Sequence, residues 1–286
     1  MHWFRRTSSR AVPSSDDSPV REILDFTELE LRQLLREHQP LDPARAVDGA
    51  AVRAMMMATE PSGMVILAAD IRASTQLMKE AVDVRNHAAI LTSFVGAASE
   101  HCRRAGGWFD KFLGDGFFGY WLEPSPAVPF MVALLNLATE LHTFFDTTIR
   151  EELRWNSRNM PIRAGLTIGI DGGYGHIVRV CNDFTVFGAP VVGAFRMLKG
   201  AQGGETVLNS TLGHPLFEMR DSEPLLSAFA IERVSWPSTE YPDGQEVYVI
   251  TPRVPPRYIL RRASQHDRDA CHQREPPING SASVRR

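Results

Sequence analysis

Lysine is almost missing from this chain: of 31 basic residues only Lys79, Lys111 and Lys199 are lysines. A compact ammonium and a planar guanidinium do not substitute for one another at a fitted site, so Lys111, inside the most patterned stretch, is a candidate functional residue. Cysteine is scarce too. Cys102, Cys181 and Cys271 are odd in number, far apart and in no metal-ligand spacing, which excludes a disulfide framework and points to reduced thiols in a cytosol, buried or incidental. No run approaches the roughly 20 apolar residues that span a bilayer. Trp3-Phe4-Arg5-Arg6 is followed by the polar segment Ser8 to Ser18, so no export signal is expected. The expectation is a cytoplasmic protein without stable membrane insertion. Charge of one sign is also lacking: with a net charge of −3, nothing in the whole-chain balance asks for nucleic acid. A polyanionic substrate needs a local basic site instead.

What the chain does have is concentrated between Gly106 and Trp121. Two aromatic, strand-like runs, Trp108 to Phe112 and Phe117 to Trp121, flank Gly114-Asp115-Gly116. An Asp-Gly pair in that setting predicts a β-hairpin with a two-residue turn and Asp115 at its tip. Asp115 suits a turn for conformational reasons alone. Upstream, Met64 to Ala69 reads as a buried strand ending on Asp70, with a helix starting directly after it. A carboxylate there is well placed for a metal or phosphate site, and Asp70 with Asp115 could clamp a pair of divalent ions.

In chain order, residues 1–20 are polar and expected to be disordered, and residues 21–60 hold a helix over Arg21 to His38 and a linker. That helix packs on its own domain or forms a dimer contact. Thr75 to Arg104 predicts one long helix or two, and Val128 to Trp155 another whose apolar stripe is core. Pro161 to Ile170 predicts a strand, Asp171 to Gly175 a turn, and His176 to Val180 the returning strand. Phe184 to Gly188 is a strand and Val191 to Lys199 a helix with Pro190 in its first turn. Glu205 to Leu208, Phe229 to Trp236 and Glu246 to Thr251 are further strands. The pattern is α+β, a mainly antiparallel sheet packed with helices, over a domain at 61–253. The tail, 254–286, is rich in arginine and proline and expected to be disordered.

Asp70-Ile71-Arg72-x-x-Thr75, Gly106-Gly107, Lys111-x-x-Gly114-Asp115, and Thr185-Val186-Phe187-Gly188 followed by Arg196 resemble, in order and spacing, the class III nucleotidyl cyclases. The resemblance runs from about Met64 to Arg253 and implies a ferredoxin-like cyclase domain. It implies that Asp70, Asp115 and the carbonyl of Ile71 hold two divalent ions, Mn2+ or Mg2+, and that Ser74 and Thr75 lie at the phosphates. Arg196 is then the catalytic arginine that steadies charge on the α-phosphate, and Lys111 and Thr185 contact the base. It further implies a nucleoside triphosphate substrate and a homodimer with the carboxylates of each site on one chain and Arg196 on the other.

Three positions depart from the family pattern. Val192 stands where an asparagine commonly orients the ribose, Arg233 to Pro237 lacks a triphosphate-binding lysine, and Arg179 is one residue out of register. Lys111 and Thr185 favour ATP. The bulky Trp108, Phe109, Phe112, Phe117 and Phe118 suit a smaller base. The run Thr185 to Val192, in a layout without a sensor domain, resembles the bacterial pyrimidine cyclases of anti-phage signalling, which make cyclic UMP or cyclic CMP for a downstream effector. Adenylate cyclase and a degenerate nucleotide-binding domain are the alternatives.

Overall fold

The computed structural model describes residues 28–253 apart from 113, 123, 125–127, 181–182 and 237–244. The expected disordered ends, Cys181 and Cys271 lie outside them. Helices α1 (Glu28–His38) and α2 (Gly49–Met57) precede β1 (Ser62–Arg72). Then follow α3 (Ser74–Glu80), α4 (Val84–Arg104), β2 (Trp108–Phe112), β3 (Gly116–Leu122), and α5 (Val128–Phe144), which runs through a π turn into α6 (Arg150–Trp155). The chain continues with β4 (Gly165–Val180), β5 (Asp183–Gly188), α7 (Ala189–Gly200), β6 (Thr206–Asn209), α8 (Ser210–Met219), β7 (Phe229–Trp236) and β8 (Gln245–Pro252).

β1 is an interior strand, between β3 and β4. All six residues from Met64 to Ala69 are buried, because alternate side chains enter two different cores and neither face meets water. Val65, Leu67, Ala69 and Ile71 face α4, α5, α6 and α8. Met64, Ile66 and Ala68 face α1, α2 and α7, with Leu31, Leu35, Val52 and Met56 closing that layer. The first helix therefore packs on its own domain. Strand order is β2-β3-β1-β4-β6-β8-β7 with β5 paired to β4, and only β4 and β6 run parallel. This is the mainly antiparallel α+β sheet expected from the sequence.

Four local expectations change. Asp171 to Gly175 is not a turn, since β4 runs unbroken for 16 residues. Its glycines are spaces for helices: a Cβ on Gly169 would lie 2.2 Å from the Ala194 carbonyl oxygen of α7, and one on Gly172 2.8 Å from Leu212 of α8. The central hairpin is wider than a two-residue turn, because the last pair between its two strands is Phe112 with Phe117. Gly114 there has φ +86°, the left-handed region that glycine enters without penalty. The linker contains α2, capped by the Asp48 side chain accepting from the Ala51 amide at 2.8 Å. Residues 210–219, read as no element, form α8 despite Pro215, with Asn209 as its N-cap. The segment Val128–Trp155 is long and apolar enough to cross a membrane by length and composition. Here Met131, Leu134, Leu135, Leu141, Phe145 and Ile149 sit in the protein core instead.

Candidate active site

Asp70 lies near the end of β1, opposite Gly116 on one side and Thr167 on the other. Gly116 allows this approach: a Cβ there would be 2.5 Å from the Ala69 carbonyl oxygen and 3.2 Å from Asp70 Oδ1. The hairpin thereby delivers Asp115 beside Asp70. The amide of Ile71 donates to the Asp115 carbonyl at 3.3 Å, and the Thr167 hydroxyl donates to the Asp70 carbonyl at 3.0 Å. The Ser74 hydroxyl donates to the Asp115 carboxylate. Thr75 is exposed in the first turn of α3, behind Ala73 at φ 60°.

Burial, and then the neighbouring Asp115 charge, push Asp70 up to about 6, against the smaller opposing pull of Arg72 and the Ile71 amide. Two carboxylates held together with too little positive charge fit a divalent cation. Among the described residues there is no group of three or more His, Cys, Asp or Glu side chains that could hold a metal. The main-chain carbonyl of Ile71, next to Asp70, is the oxygen that would join the two carboxylates. The Arg72 guanidinium is committed elsewhere: it donates to carbonyls at the end of α7, Lys199 at 2.8 Å, Ala201 at 2.6 Å and Leu198.

Lys111 and Thr185 are brought together by a residue that sequence reasoning passed over. β2 shifts register between Phe109 and Lys111, and this bulge turns Asp110 inward, where it is 1% exposed. Its carboxylate accepts from the Thr185 hydroxyl at 2.5 Å and pairs with the Lys111 ammonium at 3.2 Å. Its position next to the rare Lys111 was the only signal in the sequence. The aromatic cluster is largely structural: Trp108 stacks on Tyr120 with centroids 6.1 Å apart and Phe109 on Phe117 at 5.7 Å, all four buried.

Arg196 occupies a third place. With Val192 and Gly193 it lines a cleft of about 600 Å³ whose other walls include Asp171, Asn209 and Gln245, and whose lining includes neither Asp70 nor Asp115. Asp171, 4% exposed, accepts from the Gly172 amide at 2.7 Å and from Asn209 Nδ2 at 2.9 Å. Gly193 makes room for it, since a Cβ there would be 1.7 Å from Asp171 Oδ2. Burial pushes Asp171 up to about 6, with the Asn209 and Gly172 hydrogen bonds pulling the other way. A carboxyl raised on folding is favoured in its protonated form, so its stabilising contribution is complete below about pH 4 and is lost as pH rises through about 6. Denaturant titrations from pH 4 to 7 should show this fall, worth up to about 3 kcal/mol, and Asp171→Asn should flatten that share of the profile.

No protein-family model matches the sequence, and no curated protein matches it. Solved structures do. The adenylyl cyclase CyaB from P. aeruginosa superposes with a TM-score of 0.55 at 18% identity, over 67% of this chain and 94% of that one. The guanylyl cyclase Cya2 gives 0.54 at 15%, over 69% and 95%. The guanylate cyclase domain of RhGC from Catenaria anguillulae, solved in complex with GTP, gives 0.54 at 16%, over 69% and 100%. The chain thus has the fold of the adenylyl and guanylyl cyclase catalytic domains. At these identities the likeness shows the fold alone, and chemistry has to come from the residues.

Proposed function

We propose that this protein is a nucleotidyl cyclase, converting a nucleoside triphosphate to a 3′,5′-cyclic nucleotide and pyrophosphate. The observation that carries the reading is the side-by-side placement of Asp70 and Asp115 near the end of the interior strand β1 of a cyclase fold. Asp70, Asp115 and the Ile71 carbonyl would hold Mn2+ or Mg2+, which supply Lewis acidity toward the attacking 3′-hydroxyl and neutralise phosphate charge. Ser74 orients Asp115 and, with Thr75, borders the phosphates. Arg196 offers a guanidinium to the charge that grows on the α-phosphate as the ring closes. The working unit in this reading is a homodimer with two composite sites, a reading supported by the arginine cleft of one chain being lined by neither carboxylate.

Lys111 and Thr185 bind the base, and Asp110 sets what they present. By accepting the hydrogen bond of the Thr185 hydroxyl, Asp110 leaves that oxygen as an acceptor toward ligand, while Lys111 remains a donor. Asp110→Asn should therefore relax base selectivity about tenfold, read as the ratio of kcat/KM between the preferred nucleotide and its competitors.

The finer proposal is a pyrimidine substrate, UTP or CTP, whose cyclic product signals to an effector in cytoplasmic anti-phage defence. The run Thr185 to Val192 supports it, Val192 replacing the asparagine usual in purine cyclases. A cyclic AMP reading is favoured by Lys111 and Thr185. Incubation with equimolar ATP, GTP, CTP and UTP plus manganese, with mass-spectrometric identification of every cyclic product, separates them. A cyclic pyrimidine is the expected result, sole production of cyclic AMP overturns the finer proposal, and no product from a folded dimer returns the chain to a nucleotide-binding module.

A further inference from the structure

We propose that Arg72 is a positioning residue for Arg196: a strut between the strand that carries Asp70 and the helix that carries the arginine. The inference rests on the cyclase reading for its kinetic half and on the geometry alone for its structural half.

The last turn of a helix leaves carbonyl oxygens with no partner inside the helix, and it carries the negative end of the helix dipole. α7 ends without a left-handed glycine cap. Its C-cap is Ala201 in extended conformation, whose own amide returns to the Met197 carbonyl. The exposed carbonyls are gathered instead by one guanidinium from another element. Arg72 Nε donates to Ala201 at 2.9 Å, and Nη2 reaches Lys199 at 2.8 Å, Ala201 at 2.6 Å and Leu198. Two nitrogens of one rigid plane, Nε and Nη2, share their three N–H groups among carbonyls on one turn, which fixes both the height and the rotation of the helix end as a single point charge cannot.

Arg196 is two residues before Leu198 and Asp70 two residues before Arg72, so the strut ties the two kinds of site residue together over a few residues of chain. Elsewhere α7 is held by side-chain packing: Ala194 against Gly169, Gly193 against Asp171, Met197 and Leu198 buried, and Phe195 edge-on to Phe118. Those contacts set its distance from the sheet, and the directional bonds from Arg72 add a fixed point at its C-terminal end. In a homodimer with shared sites, each Arg72 joins the metal end of one site to the arginine end of the other. A shift of about 1 Å in a transition-state group is enough to lower turnover about a hundredfold.

The test compares Arg72→Gln and Arg72→Lys with wild type. Hydrogen exchange followed by mass spectrometry should show the amides of 198–201 losing protection in Arg72→Gln, with β1 and α4 unchanged. Steady-state kinetics should show kcat falling about a hundredfold with KM changed by less than about threefold, and Arg72→Lys intermediate. Unchanged exchange at 198–201 overturns the strut. Increased exchange with kcat per folded dimer unaltered overturns its role in placing Arg196. If wild type makes no cyclic product from any of the four triphosphates, the cyclase reading fails, and the exchange experiment still decides whether Arg72 holds α7. If Arg72→Gln does not fold, Arg72→Lys carries both measurements.

Discussion

Asp70→Ala is expected to abolish cyclic-nucleotide formation, with turnover at least about a thousandfold below wild type, because a two-ion site of the proposed kind that loses one of its two carboxylates would lose charge and geometry together. The same substitution should leave the protein folded. Asp70 is pushed up to about 6 by burial and by Asp115, so at neutral pH its charge opposes folding. Removing that charge should keep the melting temperature of metal-free protein at or above the wild-type value at pH 7, and the advantage should vanish near pH 4. A variant that is inactive and at least as stable as wild type separates a lost site from a lost fold. Manganese titration by calorimetry completes the measurement: binding should weaken strongly in Asp70→Ala and in Asp115→Ala. Turnover that survives in either variant sinks the proposed site.

Arg196→Ala should lower kcat by about a thousandfold with a much smaller change in KM, since a guanidinium aimed at developing charge acts in the transition state more than on bound substrate. Its larger consequence appears in a mixture. If the sites are composite, Asp70→Ala and Arg196→Ala chains, each expected to be inactive alone, should recover activity when mixed and allowed to exchange subunits, because one site of every mixed dimer would draw its carboxylates and its arginine from undamaged chains. Random pairing makes about half the dimers mixed, each with one intact site of two, so about a quarter of wild-type activity returns. Sites complete within single chains return none, and the composite-site reading falls with that result.

The parts of this protein legible in its sequence are those set by short-range pattern. The unbroken apolar run Met64 to Ala69 announces a strand covered on both faces, and the aromatic runs around Gly114-Asp115-Gly116 announce a hairpin. Pro190 and Gly200 bracket α7, which spans Ala189–Gly200. Asp70 and Asp115 stood out for the same reason, each at the end of a patterned segment. Asp171-Gly172-Gly173 misled, because a glycine run has the same composition whether it bends the chain or admits a helix. Only the crossing of α7 and α8 over β4 distinguishes the two. The aromatic residues that suggested a small base pocket proved mostly to be core, which composition cannot distinguish from a binding wall.

The sequence alone determined the α+β class, the order of most strands and helices, and the residue types available for chemistry, since propensity, alternation and turn signals act over a few residues. Tertiary structure decided which of those residues meet. It turned Asp110 inward through a bulge to join Lys111 with Thr185, set Asp115 against Asp70 through the space at Gly116, and brought Arg72 to the carbonyls of α7, 126 residues or more away in the chain. Contacts at that separation depend on how strands register and how helices cross, and no local pattern of residues encodes either by itself.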